Sequence, residues 1–149
     1  KNTVYRDFDD LVLDLAQILN NEAVALQKAG ARFIQIDEPA FLNDEDLDVE
    51  LAKESTAKVF DGIKVKKALY TYFGNIGGLY PEILDFDVDI IGLDFVMGSE
   101  NFQTLAKTDF TKELGFGRSI TSKGYFLQNT TMKMERKWER AFCIIRMEK

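Results

Sequence analysis

A chain of 149 residues with 46% hydrophobic and 30% charged side chains has the composition of one ordinary globular domain, which excludes a disordered or collagen-like chain. Its 19 basic and 25 acidic residues leave a net charge of −6, with no histidine and one cysteine, Cys143. Ser-His and Cys-His triads, zinc sites of the cysteine-histidine type and a chain-wide field for nucleic acid are thereby excluded.

The first predicted element is a helix from about Asp7 to Ala29, where Phe8, Leu11, Leu15, Ile18, Leu19 and Leu26 recur at helical spacing as an apolar stripe. Asp7, Asp9 and Asp10 suit its positive end, and Gly30 is a natural stop. Arg32 to Asp37 follows as a short buried strand that ends in acids and Pro39. A second helix is predicted over Asp46 to Phe60, using Val49, Ala52, Val59 and Phe60, with Gly62 past its end. Val65 to Phe73 then has the aromatic and β-branched content of a strand. Gly74, Gly77 and Gly78 give a plain turn, and Leu79 to Leu84 a short helix with Pro81 in its first turn. Val88 to Phe95 is another buried strand, interrupted by Gly92, and Asn101 to Lys107 one more helix. No apolar run approaches the roughly 20 residues that cross a bilayer. Lys1-Asn2-Thr3 does not open a signal peptide, so the expectation is a cytoplasmic protein without membrane partner, starting inside a longer parent.

Alternation of strand and helix with short connections is the signature of parallel βα units, hence an α/β layer structure. Ligands of such folds collect at the carboxyl ends of strands, where Asp37, Glu38, Asn75 and Asp94 fall. The adjacent carboxylates of Asp37 and Glu38 can bind an ammonium group or take a proton. The plainer alternative is that Asp37 caps the next turn and Glu38 faces solvent. From Arg118 to Lys149 the charge reverses: this stretch carries +5, against −11 for residues 1–117. The chain thus divides into a βα body over 1–117 and a basic tail over 118–149. Met132 to Arg146 fits a helix or a strand equally, and Cys143, inside Ala141 to Ile145, has the setting of a buried free thiol.

Three ordered stretches carry a resemblance. Ile34-Gln35-Ile36-Asp37-Glu38-Pro39-Ala40, Thr71-Tyr72-Phe73-Gly74 and Gly92-Leu93-Asp94-Phe95-Val96 resemble strand-end motifs of the cobalamin-independent methionine synthases, over about Tyr5 to Gly117. The resemblance implies a (β/α)8 TIM barrel, of which 149 residues hold only part, about the later half, since a full barrel takes around 250 residues. It also implies methionine biosynthesis, in which a zinc-activated homocysteine receives a methyl group from a folate. The family's zinc ligands align with Tyr70, Tyr72 and Asp94, so the metal site is absent and the chain is similar to the metal-free amino-terminal barrel. After Gly117 the family's pattern, including its Asp-Ala-Arg-Asn motif, is lost, which leaves the tail as an anion-binding or partner-binding arm or a solvated extension.

The resemblance to the metal-free barrel implies neither a metal nor a cofactor. Asp37 is the position at which it implies binding of the homocysteine amino group, with Glu38, Tyr72, Asn75 and Asp94 around the same mouth. Thiolate chemistry near neutral pH needs a metal or a neighbouring cation, and neither is offered. The chain is expected to support binding of an amino acid or a folate rather than catalyse alone, with the open edges of a partial barrel covered by the tail, by self-association or by a partner barrel. Two alternatives stand beside it: a noncatalytic assembly module on the same scaffold, and a small α/β acid-base enzyme using Asp37 and Glu38.

Overall fold

Asp7 starts the first helix because its carboxylate accepts the Asp10 amide at 2.9 Å, satisfying one of the donors that every helix start leaves open. The computed structural model in which this is seen describes residues 4–43, 46–107, 109–117 and 146–147. Helix α1 (Phe8–Lys28) stops ahead of Gly30, whose φ of 96° is a left-handed conformation that glycine adopts without strain. Strand β1 (Phe33–Asp37) follows, then a single turn of helix, α2 (Ala40–Asn43), and α3 (Val49–Val59), opened by the Asp48 carboxylate on the Leu51 amide at 3.0 Å. The rest of the order is β2 (Lys66–Tyr70), β3 (Ile90–Asp94), α4 (Asn101–Leu105), β4 (Glu113–Gly117) and β5 (Arg146–Met147).

Strands β1 to β4 are parallel and lie side by side in chain order, with β5 added antiparallel to the outer edge of β1. Alternation divides the sheet into two faces. Ile34, Ile36, Leu69, Ile91 and Leu93 point to the layer that holds Ala16, Ala23, Ala52, Val59 and Phe60 of the helices. Ala68, Tyr70, Tyr72 and Ile90 form a second buried cluster with Phe33 on the opposite face. All five residues of β3 are buried, which is why the sequence there is a continuous apolar run instead of an alternating one.

Several expectations are corrected. The stripe of α1 is right only in part: Leu19 and Leu26 pack against the core, whereas Phe8, Leu15 and Ile18 are exposed, and the buried positions are Ala16, Asn20 and Ala23. Small side chains let α1 approach its neighbours closely, and the Asn20 amide donates to the carbonyls of Val59 and Asp61 at 3.0 and 2.8 Å, locking α1 to the end of α3. The second helix is shorter than Asp46 to Phe60 and is preceded by α2, which sequence periodicity did not mark. The predicted helix over Leu79 to Leu84 is instead one 3₁₀ turn, Glu82–Asp85, and the predicted glycine turn before it holds another, Ile76–Gly78; they are closed by bonds such as Leu84 N–H to Pro81 O and Leu79 N–H to Ile76 O, both 2.9 Å. Paired glycines and a proline within six residues prevent a longer i to i−4 run. Of the two sheet edges, the β1 edge is covered by β5 opposite Ile34 and Gln35, and β4 has no further strand beside it among the described residues. The expectations for Met132 to Ile145, Cys143 included, lie outside the described residues. No helix among the described residues is long and apolar enough to cross a membrane.

Candidate functional site

The carboxyl ends of β1, β2 and β3 are neighbours, so the rim they form gathers most of the predicted residues. Asp37 closes β1 in register with Tyr70, on the face of the sheet that also carries Gln35. Gln35 is 1% exposed, and its side-chain amide donates to Asp37 Oδ1 at 2.6 Å. A buried amide two residues before the acid thus fixes the carboxylate's direction. Glu38 continues the ladder through its N–H to Tyr70 O at 2.8 Å, while its carboxylate accepts the Ala40 amide at 3.0 Å. Burial pushes the Glu38 carboxyl up from its ordinary range, and the Ala40 amide offsets this only in part. Of the two acids it is Glu38, half-buried, that caps the next turn, a task the sequence left to Asp37.

One row further up, Tyr72 and Asp94 belong to adjacent strands. Asp94 is 0% exposed, and both carboxylate oxygens are engaged by backbone: Oδ1 accepts Val96 N–H at 2.8 Å and Met97 N–H at 3.1 Å, and Oδ2 meets Phe73 N–H at 3.4 Å. Phe73 has a φ of 69°, a strained value for a non-glycine residue, which turns the chain sharply off β2. Asn75 is exposed, and its Oδ1 accepts the Glu100 amide at 3.0 Å. Asn101, which the sequence did not single out, is buried beneath them. It accepts Ile76 N–H at 2.8 Å and donates to Asp94 O at 2.8 Å and Gly74 O at 3.3 Å. Asp94, Asn75 and Asn101 therefore bind the loop after β2 to the loop after β3. Gly98 permits this closeness, since a Cβ there would lie 2.2 Å from Gly74 O and 2.5 Å from Asp94 O.

Chemically, the rim offers two acids at one strand end and a rigid polar lattice at the next two. Its donor set does not fit zinc. Among the described residues no three histidine, cysteine or acidic side chains come together to hold a metal. The Tyr70 ring lies flat across the sheet over Gly92 and Gly115, where added Cβ atoms would sit 2.1 and 2.4 Å from it. Tyr72 packs beside that ring at a centroid distance of 6.1 Å. On the other side of the rim a pocket of about 200 Å³ is lined by Phe41, Leu42, Leu47, Val49, Gly78 and Leu79, with Asn75 as its one predicted residue.

Known proteins agree with the motifs. The family described as "Cobalamin-independent synthase, N-terminal domain" matches residues 2–119. The methionine synthase of Pyrococcus furiosus is 36% identical over 116 residues, covering 78% of this chain and 34% of its own length. That of Thermococcus kodakarensis is 40% identical over 123 residues, with 78% and 34% covered. That of Methanothermobacter marburgensis is 37% identical over 123 residues, with 82% and 39% covered. The chain thus spans little more than a third of the length of these relatives. A solved B12-independent methionine synthase from Shewanella sp. W3-18-1, in complex with selenomethionine, superposes with a TM-score of 0.58 at 22% identity, over 77% of this chain and 39% of that one. At that identity the likeness is one of fold.

Proposed function

The chain belongs to the cobalamin-independent methionine synthase family, and from that premise we propose that it is a metal-free relative that supports substrate binding without catalysing methyl transfer alone. Its four parallel strands are part of a (β/α)8 barrel, about the later half. The substrate it serves is an amino acid of the homocysteine or methionine type, or a folate. Asp37 takes the amino group, Glu38 shapes the rim beside it, Tyr72 lines the mouth, and Asn75 and Asp94 position the loops that frame it.

One observation carries the reading. Asp37 is an acid held in place by a buried amide, which suits an ammonium group, whereas the positions that would have to activate a thiol are packed tyrosine rings and a carboxylate already committed to backbone amides. Binding chemistry is present and thiol activation is not. Calorimetry with homocysteine and with methionine tests it: the wild-type chain should bind, and Asp37→Asn should remove the heat. Stoichiometric zinc together with methylation of homocysteine by the purified chain would contradict the proposal.

A second reading is a noncatalytic assembly module on the same scaffold. It is favoured by the full engagement of Asp94 and by the Asn75 bond to Glu100, which make much of the rim structural. It predicts no heat with homocysteine, methionine or folate polyglutamate and no effect of Asp37→Asn.

A further inference from the structure

We infer that Phe73 is a specificity-determining residue of the rim: its ring is the wall against which an amino acid held at Asp37 lays an unbranched apolar side chain, a thioether of the methionine type. This rests on the proposed binding of an amino group by Asp37 and adds the part of the site that reads the side chain. Side chains that follow one another along a strand point to opposite faces. Tyr72 belongs to the cluster around Tyr70, so an extended Phe73 would point the other way, with the wholly buried Thr71. The left-handed φ of 69° reverses this. It brings the Phe73 ring to a centroid distance of 6.1 Å from the Tyr72 ring, beside the face that carries Asp37.

Strain of this kind persists where something is gained by it. The fold gains little here: the ring joins neither apolar cluster, and the Phe73 amide stands 3.4 Å from Asp94 Oδ2, too far for a strong bond. The next residue, Gly74, would take a left-handed φ freely but has none, and a Cβ there would only reach ordinary contact with Leu42 at 3.6 Å. The turn thus falls on the phenylalanine with a glycine beside it, and its product is the placement of an aromatic ring. The loops on either side hold that ring in position, Leu42 of α2 against Gly74 and the Asn101 amide on Gly74 O at 3.3 Å. Asp37 is level with Tyr70, and Phe73 lies three residues further, at most about 10 Å at 3.3 Å per residue. That gap holds an ammonium group on the carboxylate and, beyond it, two methylenes, a sulfur and a methyl. A thioether sulfur gains from contact with an aromatic ring, whereas a charged side chain would lose hydration against it.

Calorimetry on the purified full chain with L-methionine and with L-2-aminobutyrate tests this, since the second has the same head group but a side chain too short to reach the ring. Phe73→Ala should weaken methionine at least about tenfold and 2-aminobutyrate less than about twofold. Phe73→Gly should weaken methionine equally, with a thermal midpoint at or above that of wild type, because glycine takes this φ without strain. A ring with a merely structural role would lower that midpoint. Methionine binding unchanged in Phe73→Ala, the two ligands weakened alike, or a Phe73→Gly midpoint more than about 4 °C below wild type overturns the proposal. A wild-type chain that binds neither amino acid overturns the reading of Asp37 and this one with it. One that binds methionine no more tightly than 2-aminobutyrate overturns the role of Phe73 alone.

Discussion

Asp94→Ala is the substitution whose cost the structure fixes best. The carboxylate is wholly buried, so no water replaces it as acceptor for the Val96 and Met97 amides at 2.8 and 3.1 Å. Each such bond to a charged group contributes about 1.5–3 kcal/mol, and the 3.4 Å approach of Phe73 N–H adds little at that length. The loss should be about 3–6 kcal/mol, a large part of the 5–15 kcal/mol that holds a typical domain together. Asp94→Asn keeps one oxygen for Val96 and Met97 but turns an NH₂ toward Phe73 N–H, so it should lose only about 1–3 kcal/mol. Urea unfolding followed by far-ultraviolet circular dichroism reads both: the midpoint should fall in the order wild type, Asn, Ala, with the slope unchanged. The Asn variant should still bind homocysteine, because Asp94 holds loops and does not touch the ligand. A loss below about 1 kcal/mol for Ala, or an Asn variant as unstable as Ala, would refute the assigned role.

Glu38 supplies a pH test. Burial raises its folded pKa above the unfolded value, so its stabilising contribution is full below the unfolded glutamate pKa and is lost as pH rises through the folded one. Glu38→Gln should flatten that decline in melting temperature as pH rises above the ordinary glutamate range, and a variant that tracks wild type throughout would contradict the desolvated carboxyl. Gly92→Ala should destabilise by at least about 1–3 kcal/mol, since the new Cβ meets the base of the Tyr70 ring. Combined with Tyr70→Ala its cost should shrink by more than about 1 kcal/mol in a double-mutant cycle; simple additivity would mean the ring does not lie there. Asn101→Ala, which removes three bonds between the loops, should expose both to limited proteolysis before the sheet unfolds; protection equal to wild type would count against that coupling.

The strands were legible because a parallel sheet buried on both faces leaves continuous apolar runs, as at Phe33–Asp37 and Ile90–Asp94. Their ends were less so. The stretch Val65 to Phe73 has strand composition throughout, yet β2 ends at Tyr70, and the left-handed Phe73 three residues on bends the chain away, a conformation that residue composition does not announce. For α1 the period was right and the face turned partly aside: Leu19 and Leu26 reach the core, but alanine counts for little in a hydrophobic pattern, and Ala16 and Ala23 are the residues that close packing needs. The rim acids were visible as residue types at strand ends, whereas Glu38 rather than Asp37 as the cap depended on which carboxylate the α2 amides face. Asn101 left no signal, since an asparagine before Phe102 looks like any helix start. The fit of Tyr70 over Gly92 and Gly115 joins three strands, a relation no local window contains.

The central claim is a rim that binds an amino acid but cannot activate its thiol. Titration of homocysteine into the purified chain, with bound metal quantified in the same sample, tests it most directly. The account predicts saturable heat that Asp37→Asn abolishes, at far less than one zinc per chain and with no methyl transfer. One zinc per chain and turnover to methionine would contradict it.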